Sequence, residues 1–143
     1  MPSEFRPEID LKLIRSLAEF RRALRALVAS SEGLSKAAGV TAVQYQALLA
    51  ICAWEGPMAV RDLADQLMLT HSAAVQTLDR LTAAELVRRT VSGEDRRVVR
   101  VEMTPEGRTV LAALAERHLD ELLRQEADLK AALRGVKAVV RKG

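Results

Sequence analysis

Residues 63–108 read LADQLMLTHSAAVQTLDRLTAAELVRRTVSGEDRRVVRVEMTPEGR, and their pattern of apolar residues changes along the stretch. In the first part, apolar residues recur every three or four positions, which is typical of amphipathic helices. Later the stretch alternates apolar and polar residues, which is typical of half-buried strands. It therefore predicts two short helices followed by a pair of strands.

The two predicted helices are joined by a tight turn at Met68 and Leu69. One face of the first helix consists of Val60, Leu63, Ala64 and Leu67. Thr70 is a good N-cap for the second helix, which extends to about Glu85, because its hydroxyl can accept a hydrogen bond from an amide two or three residues on. Two helices this close indicate a helix-turn-helix.

The second helix of this motif has an apolar side and an open side. At about 100° per residue, Ala74, Leu78 and Leu81 fall on one side and face the core. The open side carries small or hydrogen-bonding residues and one cation, namely Ser72, Ala73, Gln76 and Arg80, with Thr77 on the flank. Such a face suits contact with DNA, and an ordinary solvated polar face is the alternative.

A β-hairpin is predicted next, with strands at residues 86–91 and 97–103 around a turn at residues 92–96. A hairpin after a helix-turn-helix forms a winged helix, in which one helix enters the major groove and the wing reaches a minor groove. Residues 88–100 contain five arginines and two acids, so their net charge is +3. This equals the net charge of the whole chain. Narrow minor grooves attract arginine, so Arg96 and Arg97 at the tip suit this role. A solvated charged hairpin is the alternative.

Helices are also predicted on both sides of this region. A long amphipathic helix covers residues 9–31, with Gly33 and Gly39 bracketing a loop. Thr41 and Gln44 form a capping box before a helix that stops at residues 55–57. Thr104, Pro105 and Glu106 open a long helix whose apolar stripe, interrupted at His118 and Gln125, needs a partner subunit or the first helix to cover it.

Composition sets limits on the class of protein. A chain of 143 residues fits one domain. The single Cys52 forms no intrachain disulfide, there is no leader, and the longest apolar run is too short for a membrane span, so we expect a cytoplasmic protein without membrane insertion. Nucleophile motifs and glycine-rich phosphate loops are missing, and His71 and His118 lack partners at a metal spacing. We therefore expect no enzyme, no metal and no cofactor.

The quoted stretch resembles the MarR family of bacterial winged-helix regulators. The matching segments, in order, are Leu63-Ala64, Asp79-Arg80-Leu81, Leu86-Val87, Asp95-Arg96-Arg97 and Thr104-Pro105-Glu106-Gly107. The resemblance extends more loosely over nearly the whole chain.

The resemblance implies a single domain at residues 1–143 that is mainly α with a small β-hairpin wing. Within it, residues 41–104 would form a winged-helix DNA-binding lobe, and residues 9–33 and 105–140 would form dimerisation helices. The implied function is a transcriptional regulator, a repressor released by a ligand, that binds double-stranded pseudo-palindromic DNA as a homodimer. Its implied DNA-binding residues are Thr70, His71, Ser72, Ala73, Gln76, Thr77, Arg80, Asp95, Arg96 and Arg97.

The family also implies a small aromatic or phenolic effector, with Tyr45, Trp54, Arg89 and His118 as candidate ligand-binding residues. Three features depart from the family pattern. Ala59 stands where relatives have a capping Ser or Thr, Gly135 lies in a short C-terminal region where the last helix would be truncated or bent, and Cys52 fits a buried thiol better than a redox sensor. A winged helix used only for dimerisation or protein contacts is the alternative function, although it leaves the arginine-rich tip unexplained.

Overall fold

The computed structural model describes residues 8–91 and 98–140, and these form two compact units. One unit contains the described residues up to Ser30 and from Asp120 onward, and the other is Ser31–Leu119. The elements are α1 (Leu11–Ala37), α2 (Ala42–Ala53), β1 (Met58–Ala59), α3 (Val60–Leu67), α4 (His71–Ala83), β2 (Val87–Val91), β3 (Val99–Met103), α5 (Pro105–Arg124) and α6 (Glu126–Val140). The predicted fold class, mainly α with a hairpin after a helix-turn-helix, is confirmed.

Helix α1 is longer than its sequence pattern predicts. The prediction placed Gly33 in a loop, but α1 continues through it to Ala37. A single glycine inside a helix costs only about 1 kcal/mol relative to alanine, and the buried Ser35 hydroxyl donates to the Ser31 carbonyl in these last turns. The chain turns at Gly39, where φ is +76°. The loop prediction was therefore wrong for Gly33 and right for Gly39.

The second unit is built around one hydrophobic core. Helix α2 begins with the predicted capping box, since Thr41 and Gln44 each accept a hydrogen bond from the other's backbone amide at 3.1 Å. Helices α2, α3 and α4 and all three strands contribute to the core. Its largest fully buried apolar side chains are Leu48, Met58, Leu63, Leu78, Leu81, Val87 and Val101. This core holds the helix-turn-helix against the sheet.

The sheet has three antiparallel strands in the order β1-β3-β2. Strands β2 and β3 form the predicted hairpin. The short strand β1 was not predicted, because two residues are too few to show an alternating pattern. Met58 pairs with Val101 of β3.

Thr104 and Gly107 join the hairpin to α5. The Thr104 hydroxyl accepts a hydrogen bond from the Gly107 amide at 2.9 Å and donates to the Glu85 carbonyl at 2.6 Å, which confirms the predicted helix start. A Cβ atom on Gly107 would lie 2.0 Å from the Leu86 carbonyl oxygen. The start of α5 is therefore packed directly against the backbone that follows α4.

The predicted long C-terminal helix is divided into α5 and α6. Gln125 separates them, and its side-chain amide donates to the Ser30 hydroxyl and, at 3.1 Å, to the Glu121 carboxylate. The break therefore occurs where a polar residue interrupts the apolar stripe, whereas Gly135 lies inside α6. None of the described helices is long and apolar enough to cross a membrane.

Candidate nucleic-acid interface

Helix α4 is oriented by its N-cap and by its apolar side. The Thr70 side chain accepts a hydrogen bond from the Ala73 amide at 3.1 Å, which confirms the predicted cap. Ala74, Leu78 and Leu81 are fully or almost fully buried, as predicted. Together these contacts fix which residues α4 presents on its other side.

The other side of α4 is open to solvent. Four predicted contact residues are exposed here: His71, Ser72, Gln76 and Arg80. Ala73 is half-buried beside them. Thr77 is only 8% exposed, and its hydroxyl donates to the Ala73 carbonyl at 2.9 Å. The structure therefore places Thr77 inside the packed flank of the helix rather than on the open face.

The turn before α4 lies at Met68 and Leu69, as predicted, and it exposes the Met68 side chain, which the sequence interpretation did not assign to the surface. Met68 has φ 52° and ψ 40°, in the left-handed region, and its side chain is 94% exposed. Few residues other than glycine adopt this conformation, so it marks the turn as a defined structure. The sequence feature that could have indicated this exposure is an apolar residue, Met68, in a connection of only two residues between helices. Ala59, at the start of α3, makes no side-chain cap, in agreement with the predicted departure.

The hairpin strands carry two ion pairs on opposite faces. Arg88 of β2 lies directly opposite Glu102 of β3, and Arg88 Nε is 2.7 Å from Glu102 Oε1. Arg89, one residue further, pairs instead with Asp79 of α4. Arg89 was predicted as a ligand contact, and the sequence interpretation treated Asp79 only as a motif residue. Their pairing brings together residues ten positions apart and connects the wing to α4.

A groove of about 540 Å³ lies between α4, the start of α3 and the strands. Its lining is mostly apolar with three basic residues, and consists of Ala59, Val60, Arg61, His71, Val75, Arg89, Val98 and Val99. The predicted tip residues Asp95, Arg96 and Arg97 lie outside the described residues. The part of the wing that the structure describes ends on either side of them, at Val91 and Val98.

Two of the candidate ligand residues contact each other. Tyr45 Oη of α2 lies 2.8 Å from His118 Nδ1 of α5, and the two rings meet edge to face with centroids 5.4 Å apart. Tyr45 is 4% exposed, and burial raises the pKa of its phenol. The structure thus joins the buried Tyr45 to the half-buried His118 in a polar pair.

Trp54 and Cys52, which the sequence also singled out, lie elsewhere in the same unit. Trp54 caps the end of α2 and packs, half-buried, against the core. Cys52 is half-buried rather than fully buried, and Arg108 Nη1 lies 3.8 Å from its sulfur. Within residues 8–91 and 98–140, no three His, Cys, Asp or Glu side chains are grouped so that they could hold a metal ion.

Known proteins share both sequence and fold with this chain. The sequence model of the MarR family matches residues 38–98. No curated protein matches the sequence. Among solved structures, AbsC, a MarR family transcriptional regulator from Streptomyces coelicolor, superposes with a TM-score of 0.75 and 24% identity over 96% of this chain and 99% of its own.

Two further structures share the fold. The transcriptional regulator BldR from Sulfolobus solfataricus has a TM-score of 0.64 and 28% identity, over 93% of this chain and 95% of its own. BpsR from Bordetella bronchiseptica, whose DNA binding is regulated by 6-hydroxynicotinic acid, has a TM-score of 0.67 and 24% identity, over 85% of this chain and 92% of its own. This chain is therefore similar in sequence to the MarR family over the helix-turn-helix and the first wing strand, and its fold is shared with AbsC and BldR along almost the whole chain.

Proposed function

We propose that this protein is a transcriptional regulator that binds a pseudo-palindromic DNA site as a homodimer. The observation that carries this proposal is the open face of α4, where polar residues are presented opposite a fully buried apolar side. A helix of this kind, followed by a two-stranded wing, fits the major groove of B-DNA with the wing beside it.

Gln76 is the proposed base-reading residue. It lies in the middle of the open face, one turn after the exposed Ser72. A glutamine amide can pair with both N6 and N7 of adenine, and such a pair discriminates between bases by about 1–3 kcal/mol. Ser72, which is exposed, and Ala73, which is half-buried, have small side chains that would leave room beside Gln76 for the edge of a base. We assign Arg80, which forms none of the ion pairs among the described residues, to a phosphate.

The wing tip would provide a second contact. Arg96 and Arg97 follow β2 in the sequence and belong to the stretch that carries the chain's excess of positive charge. Arginine is favoured in narrow minor grooves, which concentrate negative potential. We therefore propose Arg97 in the minor groove, Asp95 as the residue that orients it, and Arg96 at a phosphate.

A second copy of the chain is the proposed partner of the terminal helices. Several large apolar side chains of these helices are more than one-third exposed, including Ile14, Leu17, Val28, Leu122, Leu123 and Leu133. Burying apolar surface of this kind stabilises association by about 25 cal/mol per Å². Two-fold symmetry would then place two α4 helices about one helical turn of DNA apart.

Release by a small aromatic or phenolic ligand is the proposed regulation, with the protein acting as a repressor. BpsR supports this proposal, since 6-hydroxynicotinic acid regulates its DNA binding. In this chain, the Tyr45 and His118 pair offers a hydroxyl and a ring nitrogen next to apolar core, which suits an aromatic ligand with a polar group. Trp54 and Arg89 are the other proposed contacts.

The base-reading role is tested by comparing Gln76→Ala with a matched control, Gln46→Ala, which removes an exposed glutamine from α2. Duplexes that vary one base pair at a time within the bound site would be titrated with each variant. We expect Gln76→Ala to lose about 5- to 150-fold of discrimination at one position in each half-site, and Gln46→Ala to lose none. An unchanged preference in Gln76→Ala would contradict the role. Binding without any base preference in the unmodified protein would favour a winged helix used for dimerisation or protein contacts.

A further inference from the structure

We propose that Tyr45 is a positioning residue, which holds the His118 ring so that its Nε2–H group receives the hydrogen-bond acceptor of an aromatic acid. The proposal rests on the ligand-responsive function proposed above and narrows the polar contact of the effector to one atom. His118 would bind the effector directly, whereas Tyr45 would act through His118.

The geometry of the pair directs the Tyr45 hydroxyl to His118. Oη of Tyr45 lies 2.8 Å from Nδ1 of His118, and the two rings meet edge to face at an interplanar angle of 80°. Tyr45 is 4% exposed and belongs to the hydrophobic core, whereas His118 is half-buried. The hydroxyl is therefore engaged and closed off, and the imidazole is the more accessible member of the pair.

The direction of this hydrogen bond determines which imidazole nitrogen carries the proton. Burial raises the pKa of the Tyr45 phenol, so the hydroxyl keeps its proton and can donate a hydrogen bond. A neutral imidazole has one protonated and one unprotonated nitrogen, and the hydrogen bond made by one sets the state of the other. With Nδ1 of His118 as the acceptor, Nε2 carries the proton.

The Nε2 atom of His118 is open to solvent. Within residues 8–91 and 98–140, no fully buried side-chain nitrogen or oxygen lacks a hydrogen-bond partner. Among these residues, the bond to Tyr45 is the one that the His118 ring makes, so Nε2 is not fully buried. Ala115, three residues earlier on the same helix, is a small and half-buried neighbour. The ring thus presents an N–H donor beside apolar surface.

The chemical class of the effector follows from this donor. A carboxylate accepts the hydrogen bond of Nε2, and a charged acceptor makes the stronger bond. A protonated amidine offers only donors, so it would place N–H groups against an N–H group. The site would therefore accept an aromatic carboxylate and reject an aromatic amidine of the same size.

Nuclear magnetic resonance of the imidazole nitrogens tests the positioning role without DNA or ligand. The chain contains two histidines, so His71→Gln assigns the spectrum. At about pH 8, where an ordinary imidazole is neutral, we expect His118 to carry its proton on Nε2. Tyr45→Phe should move the Nδ1 resonance to that of an imidazole nitrogen without a hydrogen bond. A proton on Nδ1, or an Nδ1 resonance that Tyr45→Phe leaves in place, would overturn the proposal.

Two further samples separate positioning from a general effect on stability. Thr82→Val removes a hydroxyl that donates to the Leu78 carbonyl at 2.7 Å in the same unit, and it should leave the His118 resonances unchanged. Tyr45 is the only tyrosine, so tyrosine fluorinated next to the hydroxyl alters this donor alone and keeps the hydrogen bond. The fluorinated phenol is a stronger donor and should shift Nδ1 opposite to the shift in Tyr45→Phe. No shift with this tyrosine would refute the positioning role.

The effector class is tested with benzoate and benzamidine, which share a ring and carry opposite charges. Benzoate should shift the Nε2 resonance of His118 and bind about 2- to 10-fold more weakly to Tyr45→Phe. Benzamidine should leave this resonance in place. Equal shifts with both compounds, or none with benzoate, would overturn the assignment of an aromatic acid. Failure of the unmodified protein to bind DNA would instead refute the proposed regulator, whose DNA binding none of these spectra measures.

Discussion

Gly107 lies where the backbone of α5 passes close to the backbone of Leu86. Any side chain there would place a Cβ atom 2.0 Å from the Leu86 carbonyl oxygen, and backbone cannot move aside as a flexible side chain can. We expect Gly107→Ala to lower the free energy of unfolding by about 1–3 kcal/mol, measured by urea denaturation. Gly33→Ala is the control, because nothing lies within 4 Å of the corresponding Cβ position inside α1. That variant should be stabilised by up to about 1 kcal/mol, and equal effects of the two substitutions would contradict the explanation.

Tyr45 is a residue whose burial can be measured through its ionisation. Burial disfavours tyrosinate and raises the pKa of Tyr45 above its usual value near 10. The folded protein therefore keeps the proton at pH values where the unfolded chain has lost it. The corresponding stability is complete below about pH 10 and is lost as the pH rises through the raised pKa.

Tyr45 is also the only tyrosine of the chain, so its ultraviolet absorbance can be assigned without ambiguity. We expect the absorbance of the folded protein to titrate at higher pH than that of the protein unfolded in urea. Coincident titration curves would show that the phenol is accessible to water. In Tyr45→Phe, the absorbance titration should vanish. The hydrogen bond to His118 should also be lost, which we expect to lower the free energy of unfolding by about 0.5–1.5 kcal/mol.

At the scale of elements, α4 depends on Thr70, which was predicted both as its cap and as a DNA contact. The cap is observed, since its side chain accepts from the Ala73 amide. We expect Thr70→Ala to lower the free energy of unfolding by about 1 kcal/mol and Thr70→Ser to preserve it, because serine caps equally well. Chemical denaturation of both variants checks this expectation. A Thr70→Ala variant as stable as the unmodified protein would show that packing alone holds the start of α4.

Elements with strong local signals could be predicted from the sequence. The capping box at Thr41, the cap at Thr70 and the start of α5 at Pro105 depend on neighbouring residues, and all three are observed. Strand β1 was missed because its two residues become a strand only by pairing with β3, more than forty residues later. The extension of α1 through Gly33 was missed because glycine was taken as the end of the helix. Glycine disfavours a helix only weakly, and the buried Ser35 in the last turns could not be recognised from the sequence.

For the candidate site, too, the sequence predicted features within one element but not contacts between elements. Periodicity correctly separated the buried side of α4 from its open side, because helical geometry alone determines which residues share a face. Periodicity did not identify the burial of Thr77, which lies at the edge between the two sides. Nor did it pair Arg89 with Asp79 or Tyr45 with His118, because these contacts depend on how separate elements pack.

The proposed second copy of the chain would cover the exposed leucines of the C-terminal helices. Leu123 of α5 is 57% exposed. We expect Leu123→Glu to raise the dissociation constant of the proposed homodimer by at least about 100-fold. Each copy would lose about 1.5–3 kcal/mol of favourable free energy from apolar burial and would bury a charge. Sedimentation equilibrium measures this directly. Met68→Gln, which changes the 94% exposed side chain of the helix-turn-helix turn, should leave the mass unchanged. A Leu123→Glu protein that stays dimeric would place the interface elsewhere.

Recognition of one DNA sequence by two copies of α4 is the function proposed for this protein. The most direct test is selection from a pool of random duplexes, followed by titration of the selected duplex and a scrambled one at several salt concentrations. We expect an inverted repeat with half-site centres about 10 base pairs apart, affinity at least about 10³-fold above that for scrambled DNA, and a steep loss of affinity with salt. A pool without enrichment, or equal affinity for selected and scrambled duplexes, would contradict it.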